Sequence, residues 1–175
     1  GATPSFVREK LEELDFSIFL KEPERTAKRA FYSPARYSVY ADLYYDQGYH
    51  SSLPIKEWME GLLIELLPTE SHPITFRSLP FPTYIVSTDL TRAEAKVWSQ
   101  ETTPNELVSG AVRASCSIPF HFQPIDKRYV DGALLSNLPA HVFTIHGTTR
   151  RSLTSNILAF SLTSDADPPT EWNIK

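Results

Sequence analysis

The spacing of apolar positions predicts the clearest helix of this chain between Pro54 and Pro68. Apolar side chains recur there every three or four residues, which is the period of one buried helix face. Those positions are Ile55, Trp58, Met59, Leu62, Leu63 and Leu66. Another helix is predicted to begin after Thr3, because threonine is a good N-cap and Pro4 suits a first helical turn.

Runs of apolar and β-branched residues predict the strands. Residues 83–90 form a mostly buried strand in this interpretation, and residues 93–99 return beside it through a short turn. Further strands are predicted over 128–131 and 157–162. Two more helices are predicted, one after Thr103-Pro104 and one over 139–145 with Asn137 as its cap. Strands that alternate with helices favour an α/β fold with a central, mostly parallel sheet in a three-layer domain.

Composition and charge narrow the classes of function. The 175 residues carry a net charge of −4 with a pI near 5.7, which argues against nucleic-acid binding, since that requires a basic face. No apolar run approaches the length of a membrane span. A single cysteine, Cys116, excludes an intrachain disulfide framework and any multi-cysteine metal site, and we interpret it as a small buried apolar residue.

The most informative segment runs from Ala114 to Pro139. An apolar strand ends there on Asp131, and the pair Gly132-Ala133 turns the chain at once. A carboxylate at the carboxyl end of a strand lies where α/β sheets bind ligands. Asp-Gly pairs also mark ordinary turns, in which the aspartate accepts a hydrogen bond from its own backbone. The pattern alone leaves both roles open.

This segment resembles the patatin-like phospholipase family. It reads A-S-C-S-I-P-F-H-F-Q-P and then, after four residues, Y-V-D-G-A-L-L-S-N-L-P. The family's second catalytic block is Asp-Gly-Gly or Asp-Gly-Ala, between an A-S-x-S-I-P-like segment and N-x-P. Residues 14–19, 54–58 and 85–90 resemble other family segments in the same order. We therefore interpret residues 1–175 as a partial patatin-like phospholipase domain, incomplete at both ends.

The resemblance implies a lipid acyl hydrolase that cleaves fatty-acyl esters through a serine–aspartate dyad. Asp131, in the motif Asp131-Gly132-Ala133, would be the proton acceptor. A free aspartate is a weak base, with a pKa of about 3.9, so such a site must be partly desolvated. No cofactor and no metal are implied. The expected partner is a lipid or acyl-ester substrate, met at a membrane surface, and a cytoplasmic or peripheral-membrane location is favoured.

The nucleophile of such a dyad is a serine in G-x-S-x-G, and the 175 residues contain no such motif. We expect this serine upstream of Gly1, which would make the chain an internal fragment that is inactive alone. Ser115 and Ser117 lack the flanking glycines of a nucleophile and are interpreted as cap or turn residues. Asp89, at the end of a predicted strand, is interpreted as a turn residue.

Two other functions stay open at this point. The first is a non-catalytic lipid-binding or interaction module of the same fold. The second is a Ser-His-Asp esterase, whose histidine would be one of His121, His141 and His146. An acyl pocket could be lined by the aromatic stretch 37–49 with Phe76, Phe81 and Trp98, although core packing explains most of these residues as well. Basic side chains between residues 21 and 36 could contact anionic lipid headgroups or simply face water.

Overall fold

The computed structural model describes residues 3–20, 44–68, 70, 72–143 and 157–161. The chain divides into two compact units, residues 1–137 and residues 138–175. The interpretation of residues 1–175 as one partial domain stays a prediction. The first unit contains the elements that position the candidate site, and its helices and strands are given first.

Three α-helices are described in the first unit: α1 (Pro4–Glu12), α2 (Leu53–Leu66) and α3 (Val108–Ser115). The predicted start of α1 is confirmed, since the Thr3 hydroxyl accepts a hydrogen bond from the N–H of Phe6 at 3.3 Å. Helix α2 is confirmed close to its predicted bounds, and Ile55 and Leu63 on its apolar face are buried.

Helix α3 begins later than Thr103-Pro104 predicted. The Thr103 hydroxyl is engaged elsewhere, because it accepts a hydrogen bond from the N–H of Ser99 at 3.0 Å. The chain turns after Thr103, and the N–H of Val108 then bonds to the carbonyl of Ile74 at 3.2 Å. Threonine and proline here belong to the turns that follow a strand ending at Ser99, and not to a helix start.

One sheet has the strand order β3-β2-β5, with β2 (Tyr84–Asp89) antiparallel to both β3 (Glu94–Ser99) and β5 (Tyr129–Asp131). The predicted pairing of β2 with β3 is confirmed, and so is the strand that ends on Asp131. A separate parallel pair joins β1 (Gly48–His50) to β4 (Phe120–Phe122). Helices and strands are thus mixed, with a small parallel pair, and the predicted α/β class is confirmed.

The core lies between α2, α3 and one face of the larger sheet. Its buried members are Leu63, Ile74, Phe76, Val108 and Ala111, against which Met59, Ile85 and Trp98 pack. Phe76 is fully buried, so it belongs to the core and not to an acyl pocket. Burying a large apolar side chain is worth about 1.5–3 kcal/mol, so this cluster holds the two helices against the sheet.

The second unit departs from two predictions. A 3₁₀ turn over Ala140–Phe143 is described where a longer helix was predicted, and it begins after Pro139, so Asn137 does not cap it. Residues 157–161 form no strand, and their side chains are exposed, as Leu158 (81%) and Phe160 (84%) show. The predicted buried strand is wrong over these five residues, because no described strand pairs with their backbone groups.

Candidate active site

Asp131 is the last residue of β5, and Gly132 beside it is buried. A Cβ atom at Gly132 would overlap the carbonyl oxygen of Val86 and lie 2.9 Å from its carbonyl carbon. The chain can therefore turn this closely past β2 only with glycine at this position. This approach requires glycine at position 132, and Asp131 directly before it ends the strand.

Three hydrogen bonds fix Asp131 in place. Its N–H donates to the carbonyl of Ser117 at 2.9 Å, and its own carbonyl accepts from the Thr88 hydroxyl at 3.0 Å. Its carboxylate Oδ1 accepts the N–H of Ala133 at 2.8 Å, so the turn bond considered from the sequence is present. The other carboxylate oxygen, Oδ2, accepts no hydrogen bond from the described residues. Asp131 is half-buried, with one oxygen oriented and one available.

Ser117 connects Asp131 to the end of α3. Its hydroxyl is fully buried and donates to the carbonyl of Arg113 at 2.7 Å, and it lies 3.1 Å from the Ser52 hydroxyl. Arg113 Nε donates to the same Ser52 oxygen at 3.0 Å, and burial lowers the pKa of this guanidinium. These contacts give Ser117 the role of a turn residue that the sequence predicted.

Cys116 is exposed, so the interpretation of a small buried residue is wrong. Helix α3 ends at Ser115, and the following residue no longer belongs to its buried face. Desolvation of the sulfur, followed by the negative charge of Asp131, raises the pKa of the Cys116 thiol. The thiol is therefore neutral near pH 7 and lies within electrostatic reach of the Asp131 carboxylate.

Exposed apolar side chains flank both segments that meet at Asp131. Ile118 and Phe120 follow Ser117, while Leu134 and Leu135 follow the turn, and each is at least half exposed. Phe120 also has a left-handed backbone with φ of 66°, which is unusual for a bulky residue. Large solvent-exposed apolar side chains therefore occur both before and after Asp131 in the sequence.

Asp89 ends the neighbouring strand in a different environment. Arg128 binds its carboxylate with three hydrogen bonds of 2.6–2.9 Å, and the N–H groups of Thr91 and Arg92 donate to Oδ1 as well. These bonds, with that from Arg128 first, lower the pKa of Asp89 from 3.8 to about 2. The predicted turn role is confirmed. The ion pair with Arg128 was missed, although Arg128 directly precedes the strand that pairs with β2.

No histidine among the described residues hydrogen-bonds to Asp131. His121 lies in β4, exposed, with its ring centroid 4.9 Å from that of His50. His141 belongs to the 3₁₀ turn of the second unit, and His146 lies outside the described residues. Within the part of the chain that the structure describes, no group of three or more potential metal ligands occurs.

Other expectations fall on residues that are not described, namely the basic segment 21–36 and most of the aromatic stretch, residues 37–43. Trp98 is half-buried, with its indole N–H donating to the Ser87 hydroxyl at 2.9 Å. Among the described helices, none has the length and hydropathy that a membrane crossing requires.

Comparison with known proteins places the chain in a family. The model of the family described as patatin-like phospholipase matches residues 5–144, which is most of the 175 residues. No curated protein and no solved structure matches the chain. The matched range includes all of α1 except Pro4, together with the core, the sheet and the Asp131-Gly132-Ala133 turn. This chain belongs to the patatin-like phospholipase family, a family of lipid acyl hydrolases.

Proposed function

We propose that Asp131 is the proton acceptor of a serine–aspartate dyad that hydrolyses fatty-acyl esters of lipids. The observation that supports this proposal is that the two oxygens of the Asp131 carboxylate differ in their hydrogen bonding. Oδ1 is fixed by the N–H of Ala133 at 2.8 Å, while Oδ2 has no hydrogen-bond donor among the described residues. A general base needs one oriented oxygen within hydrogen-bond reach of the hydroxyl that it deprotonates.

The surroundings of Asp131 support this role. The backbone of Asp131 is hydrogen-bonded to the Ser117 carbonyl and the Thr88 hydroxyl. Because the aspartate side chain is short, these two backbone bonds also restrict the position of the half-buried carboxylate. The exposed apolar residues that flank it suit an acyl chain or the surface of a lipid aggregate. Each methylene group removed from water is worth about 0.8 kcal/mol, so a fatty-acyl substrate gains from such a surface.

Replacing Asp131 with asparagine tests the base. The amide would keep an oxygen acceptor for the N–H of Ala133 but could not take up a proton, so we expect ester hydrolysis to fall about 10²- to 10⁴-fold. Asp15→Asn is the matched control, because Asp15 Oδ1 accepts the N–H of Ser17 at 2.9 Å in the same two-residue turn geometry. Comparable activity of Asp131→Asn and the unaltered protein, measured on the gene product that includes the upstream residues, would refute the proposal.

The serine of the dyad is expected outside these 175 residues, because they contain no G-x-S-x-G. We expect the 175-residue chain to lack ester hydrolysis and the product of the gene extended upstream to have it, since loss of a nucleophile costs many orders of magnitude. Equal activity of the two polypeptides contradicts this. A non-catalytic lipid-binding module instead predicts that both are inactive while both bind lipid.

A membrane surface is the proposed place of action. The flanking apolar side chains would enter the boundary between headgroups and acyl chains, as amphipathic surfaces do. Phe120→Ser and Leu134→Ser should each reduce cosedimentation with phosphatidylcholine vesicles, whereas Phe81→Ser, an equally exposed aromatic position at 74%, should not. Equal losses for Phe81→Ser and Phe120→Ser would show that the contact is not specific to this site.

A further inference from the structure

Two histidines meet where the parallel strands β1 and β4 pair, and the proposed dyad uses neither of them. The ring centroids of His50 and His121 lie 4.9 Å apart, and the two ring planes are inclined by 57°. His121 is exposed and His50 is half-buried, so small solutes can reach the pair. Imidazole nitrogens are ligands that suit zinc, copper and nickel ions in proteins.

A regular parallel pair of strands would keep these two rings apart. Gly48 lies opposite Phe120 and His50 lies opposite Phe122, so His121 belongs to the other face of the pair in a regular ladder. The backbone is not regular here, because Phe120, directly before His121, is left-handed with φ of 66°. Bulky residues rarely adopt this conformation, and strained residues of this kind cluster at functional sites. The contact between the histidines is therefore a specific feature of this segment and not a result of strand pairing alone.

Backbone contacts hold both histidines in place. The carbonyl of His50 accepts the N–H of Gln123 at 2.9 Å, and the N–H of Phe122 donates to the carbonyl of Ile118 at 2.9 Å. The strands also approach closely, since a Cβ atom at Gly48 would overlap the Phe122 carbonyl group. Ligands that are fixed before binding lose little conformational freedom, which favours chelation of one ion by both rings.

The distance between the rings fits two imidazoles bound to one metal ion. With a metal–nitrogen bond of about 2.1 Å and a nitrogen about 1.2 Å from the centre of its ring, each centroid lies about 3.3 Å from the ion. Two such rings have centroids about 4.7 Å apart at a right angle and about 5.4 Å apart at the tetrahedral angle. The observed 4.9 Å lies between these values, and the inclination of 57° differs from the parallel planes of a stacked pair.

The surroundings of the pair indicate an exchangeable ion and not a closed structural site. The ring of Tyr49 lies 4.7 Å from that of His50, and the ring of Phe122 lies 4.8 Å from that of His121. No group of three or more potential ligands occurs within the described ranges, so water fills the remaining coordination positions. Each imidazole has two ring nitrogens, so one can bind the ion while the other keeps a hydrogen bond.

We propose that His50 and His121 chelate one divalent transition-metal ion, and that copper is bound more tightly than nickel or zinc. This order is the usual one for nitrogen ligands. The ion joins β1 to β4 and stabilises the folded chain, because the unfolded chain does not hold the two imidazoles together. Binding depends neither on ester hydrolysis nor on Asp131, so the test of the proposed dyad and the test of this site are separate.

The first experiment titrates Cu²⁺, Ni²⁺ and Zn²⁺ into the gene product that includes the upstream residues, by calorimetry. His50→Phe and His121→Phe each keep an aromatic ring in the cluster and remove one ligand, so each should weaken Cu²⁺ binding at least about tenfold. His50→Gln and His121→Gln, as a second pair of variants, should weaken it equally. His72→Phe is the matched control, since His72 is exposed and lies outside the pair, and it should leave binding unchanged.

A double variant separates chelation from two independent weak sites. If one ion is shared, the variant with both His50→Phe and His121→Phe should lose little more affinity than either single variant, because the two residues act as a unit. Two independent sites predict instead that each single variant binds fewer ions with unchanged affinity. That result overturns the proposal, and so does Cu²⁺ binding that is the same in the unaltered protein and in both single variants.

Electron paramagnetic resonance counts the nitrogens bound to the metal. With one equivalent of Cu²⁺, the unaltered protein should show hyperfine splitting from one more nitrogen than either single variant. The ion should also raise the thermal midpoint of the unaltered protein by several degrees and have little effect on the variants. Identical spectra for the unaltered protein and the two variants, or an equal rise of the midpoint in all three, overturn the proposal.

Discussion

Two aspartates end neighbouring strands of one sheet, and their environments are opposite. Asp89, at the end of β2, is 2% exposed, and its carboxylate is surrounded by the guanidinium of Arg128 and two backbone N–H groups. Asp131, at the end of β5, has a single donor to its carboxylate among the described residues, the N–H of Ala133. The strands are paired so that Asp89 lies opposite Tyr129 and Asp131 lies opposite Ser87.

The comparison shows why position in a fold does not by itself identify a reactive group. Both aspartates are strand-terminal, both are followed by turns, and both accept backbone hydrogen bonds within that turn. They differ in burial, in the presence of a guanidinium, and therefore in the number of acceptor sites that remain. Arg128 donates hydrogen bonds to both oxygens of Asp89, so this carboxylate contributes to stability. Asp131 instead retains an oxygen that can accept a further proton or hydrogen bond.

The largest expected effect is that the two asparagine variants differ in opposite ways: one loses activity and the other loses stability. Asp131→Asn should lose about 10²- to 10⁴-fold in ester hydrolysis with little change in thermal midpoint. Asp89→Asn should retain most activity at low temperature and lower the midpoint by several degrees, because it loses the charge-assisted bonds to Arg128. Activity and thermal unfolding are measured on the same preparations. If both variants lose activity in proportion to stability, the two aspartates do not differ as described.

The glycine that supports Asp131 gives a second, smaller test. Gly132→Ala should lower the free energy of unfolding by about 1–3 kcal/mol, because the added methyl group would overlap the Val86 carbonyl group. Gly61→Ala is the matched control on the exposed face of α2, where a Cβ meets no other atom within 4 Å. It should stabilise the protein by about 0.5–1 kcal/mol. The two changes in unfolding free energy need not be equal in size. A Gly132→Ala variant as stable as the unaltered protein would contradict the close contact between Gly132 and Val86.

Acid unfolding sharpens the account of Asp89 and is the smallest of the three effects. The pKa of Asp89 is lowered from 3.8 to about 2 in the folded state, so its ionised form stabilises the protein above pH 3.8. That contribution is lost as the pH falls through about 2. The stability difference between the unaltered protein and Asp89→Asn should therefore shrink over this range. A difference that is constant with pH would show that the charge is not what Arg128 recognises.

Much of the site could be predicted because its signals are local. The apolar period of α2, the threonine before Pro4, and the strand that ends on Asp131 each follow from residues close together in sequence. The same holds for the Asp-Gly turn, although its close contact with Val86 could not be inferred from the motif. The interpretation of Ser117 as a turn residue was also correct: its sequence lacks the glycines that flank a nucleophile, and its hydroxyl bonds to the carbonyl of Arg113 at the end of α3.

The predictions that were wrong or missing concern hydrogen-bond partners that are distant along the chain or belong to another element. The sequence predicts a helix cap at Thr103, yet its hydroxyl accepts from Ser99. The ion pair between Asp89 and Arg128 joins residues 39 positions apart and depends on the register of two strands. The parallel pairing of β1 with β4 and the missing strand at 157–161 likewise depend on whether a second segment is available to share hydrogen bonds.

Ser117 has a consequence for how the proposed base could change. Its carbonyl anchors the backbone of Asp131, and its side chain is anchored by the end of α3 and by Ser52. The carboxylate is thus aimed by a residue from a different segment, which is itself oriented by the helix that carries Arg113. Redirecting the base toward a differently shaped ester would therefore involve the seat of α3 as well as the turn that fixes Oδ1.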